Sequence, residues 1–234
     1  AEQITIVSPE RIAAEMRKML CLPYRGQALA WLQELMLLPY IFPEWFPLLT
    51  AESAFQQALS RLADLQQVTF ESAVAVLLID NWNTASDSPE SLSRVASLKQ
   101  FWRLSNTEAE AIQFCLQALP VLRQSETCRW SQLQPWLLSP YIYLAIEVVE
   151  VLGRQEHGPT YRLERCRECL SWPPKTLNPP PLIDGRSLMR LGITPGPQYA
   201  QWIRNARALQ LDGHLRSSED AIRWIQEQVD GHKS

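Results

Sequence analysis

The chain has 234 residues and a mass of 26.9 kDa, enough to bury a core in one large domain or in two to three small ones. Its 46% apolar and 20% charged residues are typical of folded globular proteins, so a disordered or fibrous chain is excluded. Only 8 glycines stand beside 17 prolines, which argues against Gly-rich phosphate loops and against the tight turns of all-β folds.

Charge is distributed unevenly along the chain, although the formal net charge is only −3. Residues 1–153 carry 10 basic and 16 acidic side chains, whereas residues 154–234 carry 12 basic and 9 acidic ones. Because a net-positive segment attracts polyanions, we expect an anionic partner to bind the C-terminal third.

Neither the cysteine content nor the hydropathy suggests export or membrane insertion. The five cysteines are scattered, and their odd number does not suit a disulfide framework. No apolar stretch approaches the roughly 20 residues that span a bilayer, and residues 1–10 lack the basic and apolar regions of a signal peptide. We therefore expect a cytoplasmic protein with no membrane partner.

Helical periodicity and helix-capping residues run through almost the whole chain, and they predict an elongated all-α array of about ten helices without strands. The first predicted helix takes Ser8 as its N-cap and Pro9 as its first helical residue, and it continues to about Leu20. Other helix starts are predicted at Thr50, Thr69, Ser88, the capping box of Ser105 with Glu108, and Ser139.

A proline-rich segment over residues 171–185 interrupts this pattern, and we interpret it as a rigid, extended linker. Three short helical elements are predicted beyond it. The first is closed by Gly192, the second begins near Pro197 and is closed by Gly213, and the third is opened by a capping box of Ser217 with Asp220.

Catalytic side chains are scarce. Metal-dependent nucleotidyl transfer needs two closely spaced carboxylates, and the sequence contains no Asp-x-Asp pair. The nearest spacing, Glu108-Ala-Glu110, falls in the first turn of a predicted helix, where the helix dipole favours acidic residues. The histidines at 157, 214 and 232 lie in predicted loops or near the terminus, so no triad or metal dyad is predicted. We assign no catalytic residue and no metal ligand.

Two further residue types leave alternatives open. Cys166 and Cys169 have the spacing of half a zinc site or a redox pair, but no second half is present, and packing on one helix face is the simpler interpretation. Most of the nine tryptophans fall on apolar stripes, whereas Trp202 and Trp224 in the basic tail either stack on bases or pack in a core.

The turn at residues 195–197 resembles a helix-hairpin-helix, in which backbone amides and the helix dipole bind a nucleic-acid phosphate. Arginines one helical turn apart lie on both sides of it, so four guanidinium groups are expected along one phosphate track. The alternative is a solvated basic face that keeps the tail soluble. The predicted RNA-binding residues are Arg186, Arg190, Gly196, Gln198, Arg204 and Arg207.

Residues 179–225 resemble the C-terminal segment of class II tRNA nucleotidyltransferases and bacterial poly(A) polymerases. The resemblance rests on the Pro-Gly-Pro turn, on the Gln-Leu-Asp-Gly sequence at 210–213, and on the stretch from Ala221 to Trp224. Residues 4–20 and 28–45 are similar to the neck segment of that family, and residues 70–150 resemble its helical body only loosely. Five neck residues match the family's motif E, with Arg11 and Glu15 as site candidates: Ser8, Glu10, Arg11, Glu15 and Lys18.

The resemblance implies a neck-like segment over residues 1–68, a helical body over 69–170, the linker over 171–185 and a helical tail over 186–234. It also implies that body and tail bind tRNA, with no DNA partner expected, and position its 3′ end for addition of CCA or A by a catalytic head domain. The Gly-Ser turn and Asp-x-Asp pair of that head are not found here, so this chain alone is expected to be inactive. Mg²⁺ and ATP or CTP are expected only at a head domain, of the same or a separate chain.

A second departure concerns the body. Some relatives carry a His-Asp phosphohydrolase signature there, but in this chain Ile79 stands at the histidine position beside Asp80. No phosphohydrolase metal site is therefore expected. The alternative function is a non-catalytic all-α scaffold or protein-interaction module that retains the family fold.

Overall fold

The computed structural model describes residues 7–42, 52–79, 89–155, 163–193 and 196–231, with an all-α fold. These residues form fourteen helices and no strand, which confirms the predicted fold class. The number exceeds the predicted ten partly because two of these helices have only four residues, too few to show a period. The helices are α1 (Pro9–Leu20), α2 (Arg25–Glu34), α3 (Leu38–Ile41), α4 (Glu52–Asp64), α5 (Phe70–Leu78), α6 (Pro89–Trp102), α7 (Asn106–Arg123), α8 (Trp130–Leu137), α9 (Ile142–Gln155), α10 (Glu164–Leu170), α11 (Pro174–Leu177), α12 (Gly185–Arg190), α13 (Pro197–Leu211) and α14 (Ser218–Gly231).

The chain divides into two compact units, and their limits differ from the neck, body and tail expected from the sequence. The first unit comprises residues 1–123 and 140–162, and the second comprises residues 124–139 and 163–234. The expected boundary between residues 68 and 69 therefore falls inside the first unit. Residues 124–139, which include α8, group with the tail because α13 and α10 pack against α8.

The core of the first unit is built around α5, which packs against α7 and α9. Eight of the nine residues of α5 are buried, as its nearly continuous apolar sequence predicts. Trp102, at the end of α6, is also fully buried, and its indole N–H donates to the Ile41 carbonyl at 2.9 Å. Because that bond satisfies the polar atom of a large apolar side chain, Trp102 joins α6 to α3 at no cost in unpaired hydrogen bonds.

Most of the predicted helix starts that fall on described residues are confirmed. Ser8 accepts the Arg11 amide, and Thr69 accepts the Ser72 amide. The capping boxes of Ser105 with Glu108 and of Ser217 with Asp220 are both formed. The predictions at Thr50 and Ser88 lie outside the described residues.

The predicted helix start at Ser139 is wrong. The Ser139 amide donates to the Trp136 carbonyl, so Ser139 lies in the turn that follows α8. The carbonyl of Tyr141 accepts the first bonds of α9, from Leu144 and Ala145. A serine before a proline is typical of a helix start. Here the serine lies in the turn between two helices, and α9 begins only at Ile142.

The second unit encloses a small apolar core formed by α12, α13, α14 and the segments that join them. Its buried residues are Ile183, Leu188, Trp202, Ala206, Leu215, Ala221 and Ile225. Trp202 is therefore a core residue, and Trp224 packs against the same cluster. This outcome favours the packing interpretation of both tail tryptophans.

The proline-rich segment is part of the second unit, which corrects its interpretation as an extended linker. Residues Pro174–Leu177 form the single turn α11, and Ile183 is buried in the core. The Gln210 carboxamide accepts from the Leu182 amide at 3.2 Å and donates to the Pro180 carbonyl at 2.8 Å. Two backbone groups of the segment are therefore bonded to one side chain from α13.

Within the described part of the chain, no single helix is both long enough and apolar enough to cross a membrane. Helices α8 and α9 reach the required length and composition only when they are taken together.

Candidate nucleic-acid interface

The tail hairpin begins with α12, whose start is fixed by Asp184. Its carboxylate accepts from the amide and the hydroxyl of Ser187, both at 2.8 Å, and these bonds lower the pKa of Asp184. Gly192 follows α12 with a φ of 74°, a left-handed conformation that favours glycine and ends the helix as predicted. Gly196 is exposed and precedes the first turn of α13, while residues 194 and 195 lie outside the description.

Three of the four predicted arginines are exposed to solvent: Arg186, Arg190 and Arg204. Among the described residues, none of the three forms an ion pair, and the one bond seen is a long contact of 3.5 Å from Arg190 to the Ser187 hydroxyl. Gln198 is exposed as well. These side chains are therefore available to phosphates, and their contact with RNA stays a prediction.

Arg207 differs from the other three arginines. It is half-buried, and its guanidinium donates to Gln210 Oε1 at 2.9 Å and to Asn178 Oδ1 at 2.8 Å. Burial lowers its pKa. Arg207 therefore helps to hold the proline-rich segment against α13, which is a structural contact that sequence spacing did not predict.

Asp212 also has a structural partner, and it belongs to the Gln-Leu-Asp-Gly sequence on which the family resemblance rests. Its two carboxylate oxygens accept from the Ser131 amide at 2.9 Å and the Ser131 hydroxyl at 2.8 Å. A carboxylate at this place caps α8 and complements its dipole. Gln210 and Asp212 thus join the tail to two distant segments, while Gly213 takes a φ of 80° to end α13.

The motif E-like residues lie on α1, beside a groove of about 570 Å³ with mainly apolar walls. Arg11 and Glu15 both line it, and Lys18 joins them. Glu15 accepts from Lys18 at 3.1 Å in an exposed ion pair, whereas Arg11 has no ion pair among the described residues. Within that part of the chain, the groove therefore presents an unpaired cation beside apolar walls.

Glu108 was the nearest candidate for a metal-binding carboxylate, and the structure gives it another partner. Its two oxygens accept from Arg17 Nε at 2.6 Å and Nη2 at 3.0 Å, and Oε2 also accepts the Ser105 amide at 2.7 Å. The bond from Arg17 is the main cause that lowers the pKa of Glu108 to about 2. This bidentate pair joins α1 to the start of α7, so the carboxylate serves as a structural anchor.

Arg25 is a second cation that packing explains. It is only 6% exposed, and its guanidinium donates to the carbonyls of Leu62 at 2.6 Å and Leu65 at 2.9 Å. These carbonyls lie at the end of α4, where backbone acceptors lack helical partners. Burial lowers the pKa of Arg25. The side chain ties α2 to α4 and is not available to a ligand.

The two cysteines considered for metal or redox chemistry are also explained by packing. Cys166 and Cys169 are buried on α10, and burial raises the pKa of both thiols. The described residues contain no group of three or more His, Cys, Asp or Glu side chains that would hold a metal ion. Ile79 is buried, and Asp80, His157 and His232 fall on residues that are not described.

Comparison with known protein families finds a match in the N-terminal region. Residues 1–49 match the family described as the probable RNA and SrmB-binding site of polymerase A. No curated protein and no solved structure matches the chain significantly. The chain therefore contains a poly(A) polymerase-like RNA-binding region, which includes α1, α2 and α3 and the groove beside Arg11 and Glu15.

Proposed function

We propose that the chain is the RNA-binding neck, body and tail of a tRNA nucleotidyltransferase or poly(A) polymerase. In this role it binds tRNA and positions the 3′ end for a catalytic head domain, of the same or a separate chain. The match of residues 1–49 to an RNA-binding region of polymerase A is the observation that carries the proposal. The resemblance of residues 179–225 to the tail of the same enzymes supports it from the other end of the chain.

The tail supplies the electrostatic part of this function. Arg186, Arg190 and Arg204 are exposed and form no ion pair with any described carboxylate, so a phosphate would meet guanidinium groups without breaking an existing pair. Phosphate contacts of this kind provide affinity and orientation but do not read sequence. Such a surface suits a protein that accepts many tRNAs.

Nucleotide addition is assigned to the head domain, where Mg²⁺ and ATP or CTP are expected. In this chain, the spacing nearest to a metal-binding carboxylate pair is that of Glu108 and Glu110, and Glu108 is bonded to Arg17. We therefore expect this chain with tRNA, ATP, CTP and Mg²⁺ to give no extension of the 3′ end. Extension would refute the assignment of the reaction to another domain.

The test of the RNA-binding role is the affinity of the full chain for tRNA, measured over a range of salt concentrations. The variant Arg186→Gln/Arg204→Gln should weaken binding and reduce the slope of log K against log salt by about 1 for each phosphate that is no longer neutralised. A matched control, Lys175→Gln/Arg223→Gln, removes the same charge from two exposed side chains of the second unit that form no ion pair with any described residue. Affinity that does not depend on salt, or equal decreases in affinity for both variants, would contradict the role of Arg186 and Arg204.

A second candidate function, a protein-interaction module, is favoured by one feature of the N-terminal region. Seven large apolar side chains among its described residues are exposed: Val7, Leu22, Tyr24, Trp31, Leu35, Met36 and Tyr40. Apolar groups that cluster on a surface commonly mark a protein contact. A stable complex with a separate head-like protein, together with no affinity for RNA, would favour this candidate over the first.

A further inference from the structure

The second unit carries a polar groove that none of the predicted RNA-binding residues lines. It has a volume of about 420 Å³ and lies between the start of α8, the start of α10 and the turn that follows α13. This volume is in the range of small-ligand sites. The side chains that matter for its chemistry are Arg129, Trp130, Arg165, Asp212 and His214.

The charges of this groove favour an anion. Arg129 is exposed, and no described residue forms an ion pair or a hydrogen bond with its guanidinium. Its backbone is fixed, because its amide donates to Gln132 Oε1 at 3.1 Å and its carbonyl accepts the Gln132 amide at 3.0 Å. The one carboxylate in the wall, that of Asp212, already accepts two bonds from Ser131.

Arg165 adds a second positive charge and holds the wall in place. Its Nη1 donates to the carbonyls of Ser125 at 2.7 Å and Cys128 at 2.8 Å, within the turn that precedes Arg129. The groove therefore contains two guanidinium groups against a single, already bonded carboxylate.

An aromatic ring lies next to these charges. The Trp130 indole is half-buried and packs against the Trp172 ring, with a centroid separation of 5.3 Å and an angle of 51° between the planes. This contact limits the motion of the indole without enclosing it. His214 is exposed in the same groove, directly after Gly213, and its imidazole supplies a further hydrogen-bond donor.

We propose that this groove binds one nucleotide of single-stranded RNA, with the base stacked on Trp130 and the phosphate bound by Arg129 and His214. The proposal rests on the proposed function, since it assumes that the chain binds RNA. A fixed indole beside an unpaired guanidinium is the combination that single-stranded nucleic acids require, because every base offers a face for stacking. An acidic peptide would use the arginine but would leave the ring without a partner.

Base stacking makes the site selective for single strands. In a duplex the bases remain stacked on each other, so the Trp130 ring has no base to contact. The experiment therefore compares a short single-stranded RNA with a duplex of the same length, using fluorescence anisotropy and the full chain. The variants are Arg129→Gln, Trp130→Ala, Trp130→Phe and His214→Gln, with Arg223→Gln on α14 as the matched control for charge.

We expect Trp130→Ala to raise the Kd for the single strand about tenfold and to leave the Kd for the duplex unchanged. Trp130→Phe should recover most of the affinity, because it retains an aromatic face. Arg129→Gln should reduce the salt slope on the single strand by about 0.7, and His214→Gln should raise the Kd by a smaller factor. Arg223→Gln should change neither value.

Several outcomes would overturn the proposal. If Arg129→Gln and Trp130→Phe both match the wild type while Trp130→Ala weakens both forms of RNA equally, the tryptophan is only structural. If Arg129→Gln and Trp130→Ala both bind single strands normally while Arg186→Gln/Arg204→Gln weakens tRNA binding as expected, the groove proposal fails and the proposed function stands. Absence of RNA binding by the wild type would refute both.

Discussion

Replacement of Glu108 by Gln tests how the RNA-binding region is fastened to the helical body. Glutamine retains the side-chain oxygen that accepts the Ser105 amide, as in other capping boxes, but it removes the charge that Arg17 contacts at 2.6 Å. The substitution therefore isolates the bond between α1 and α7.

The magnitude follows from the pKa of Glu108. A fall from 4.5 to about 2 corresponds to at most about 3 kcal/mol of folding free energy. The Arg17 side chain is 34% exposed and that of Glu108 is 18% exposed, so solvent screens the pair. We expect the variant to lose about 1 to 2 kcal/mol at neutral pH.

The pH dependence gives the prediction a sign. Because the pKa of Glu108 is lower in the folded protein, its contribution is fully present above pH 4.5 and is lost as the pH falls towards 2. The difference in unfolding free energy between wild type and Glu108→Gln should shrink over that interval. Other carboxylates titrate in both proteins, so they cancel in the difference.

The assay is urea unfolding followed by tryptophan fluorescence, at several pH values. Glu110→Gln is the matched control, since it removes a carboxylate from the same helical turn, and its one described contact is a long bond of 3.5 Å from Tyr141. We expect this control to lie within about 0.5 kcal/mol of the wild type. Equal destabilisation of the two variants, or a difference that does not vary with pH, would refute the reasoning.

Three other predictions concern two contacts between distant segments and one buried thiol. Arg25→Ala leaves buried carbonyls at the end of α4 without donors and should cost about 3 kcal/mol in urea unfolding; a decrease below about 1 kcal/mol would contradict the cap. Asp212→Ala removes the cap of α8 and should cost about 1 kcal/mol, and a prior Ser131→Ala substitution should reduce that cost in a double-mutant cycle. Burial raises the pKa of Cys115 to about 12, so thiol reagents should modify exposed Cys21 in the native protein and Cys115 only on unfolding; equal rates would contradict this.

The elements that sequence predicted well are those set by neighbouring residues. Thr69, the pair of Ser105 and Glu108, and the glycines at 192 and 213 act on backbone groups only a few positions away, so their patterns reveal helix ends directly. The predicted helix start at Ser139 failed because two helices lie close together there. The Ser139 amide bonds to the Trp136 carbonyl of α8, and α9 begins only at Ile142.

The candidate site was harder to predict because the same residue type serves several purposes. Arg25, Arg186 and Arg207 all lie on helices, yet Arg25 is buried against carbonyls, Arg186 is exposed, and Arg207 bonds to Asn178. No sequence pattern separated Trp130 from the other tryptophans outside the tail. Its proximity to Arg129 was visible, but the groove needs residues from α10 and from the turn after α13.

The all-α class, the ends of most helices and the basic character of the tail follow from the chain's local pattern, because capping bonds and periodicity act over three or four residues. Packing between distant segments determines which charged side chains are bonded within the fold and which stay exposed. Arg17 meets Glu108 across 91 positions and Asp212 meets Ser131 across 81, and no local pattern encodes such pairs. The physical reason is that burial and long-range hydrogen bonds depend on how helices assemble, which determines whether a charged side chain fastens the fold or is left for a ligand.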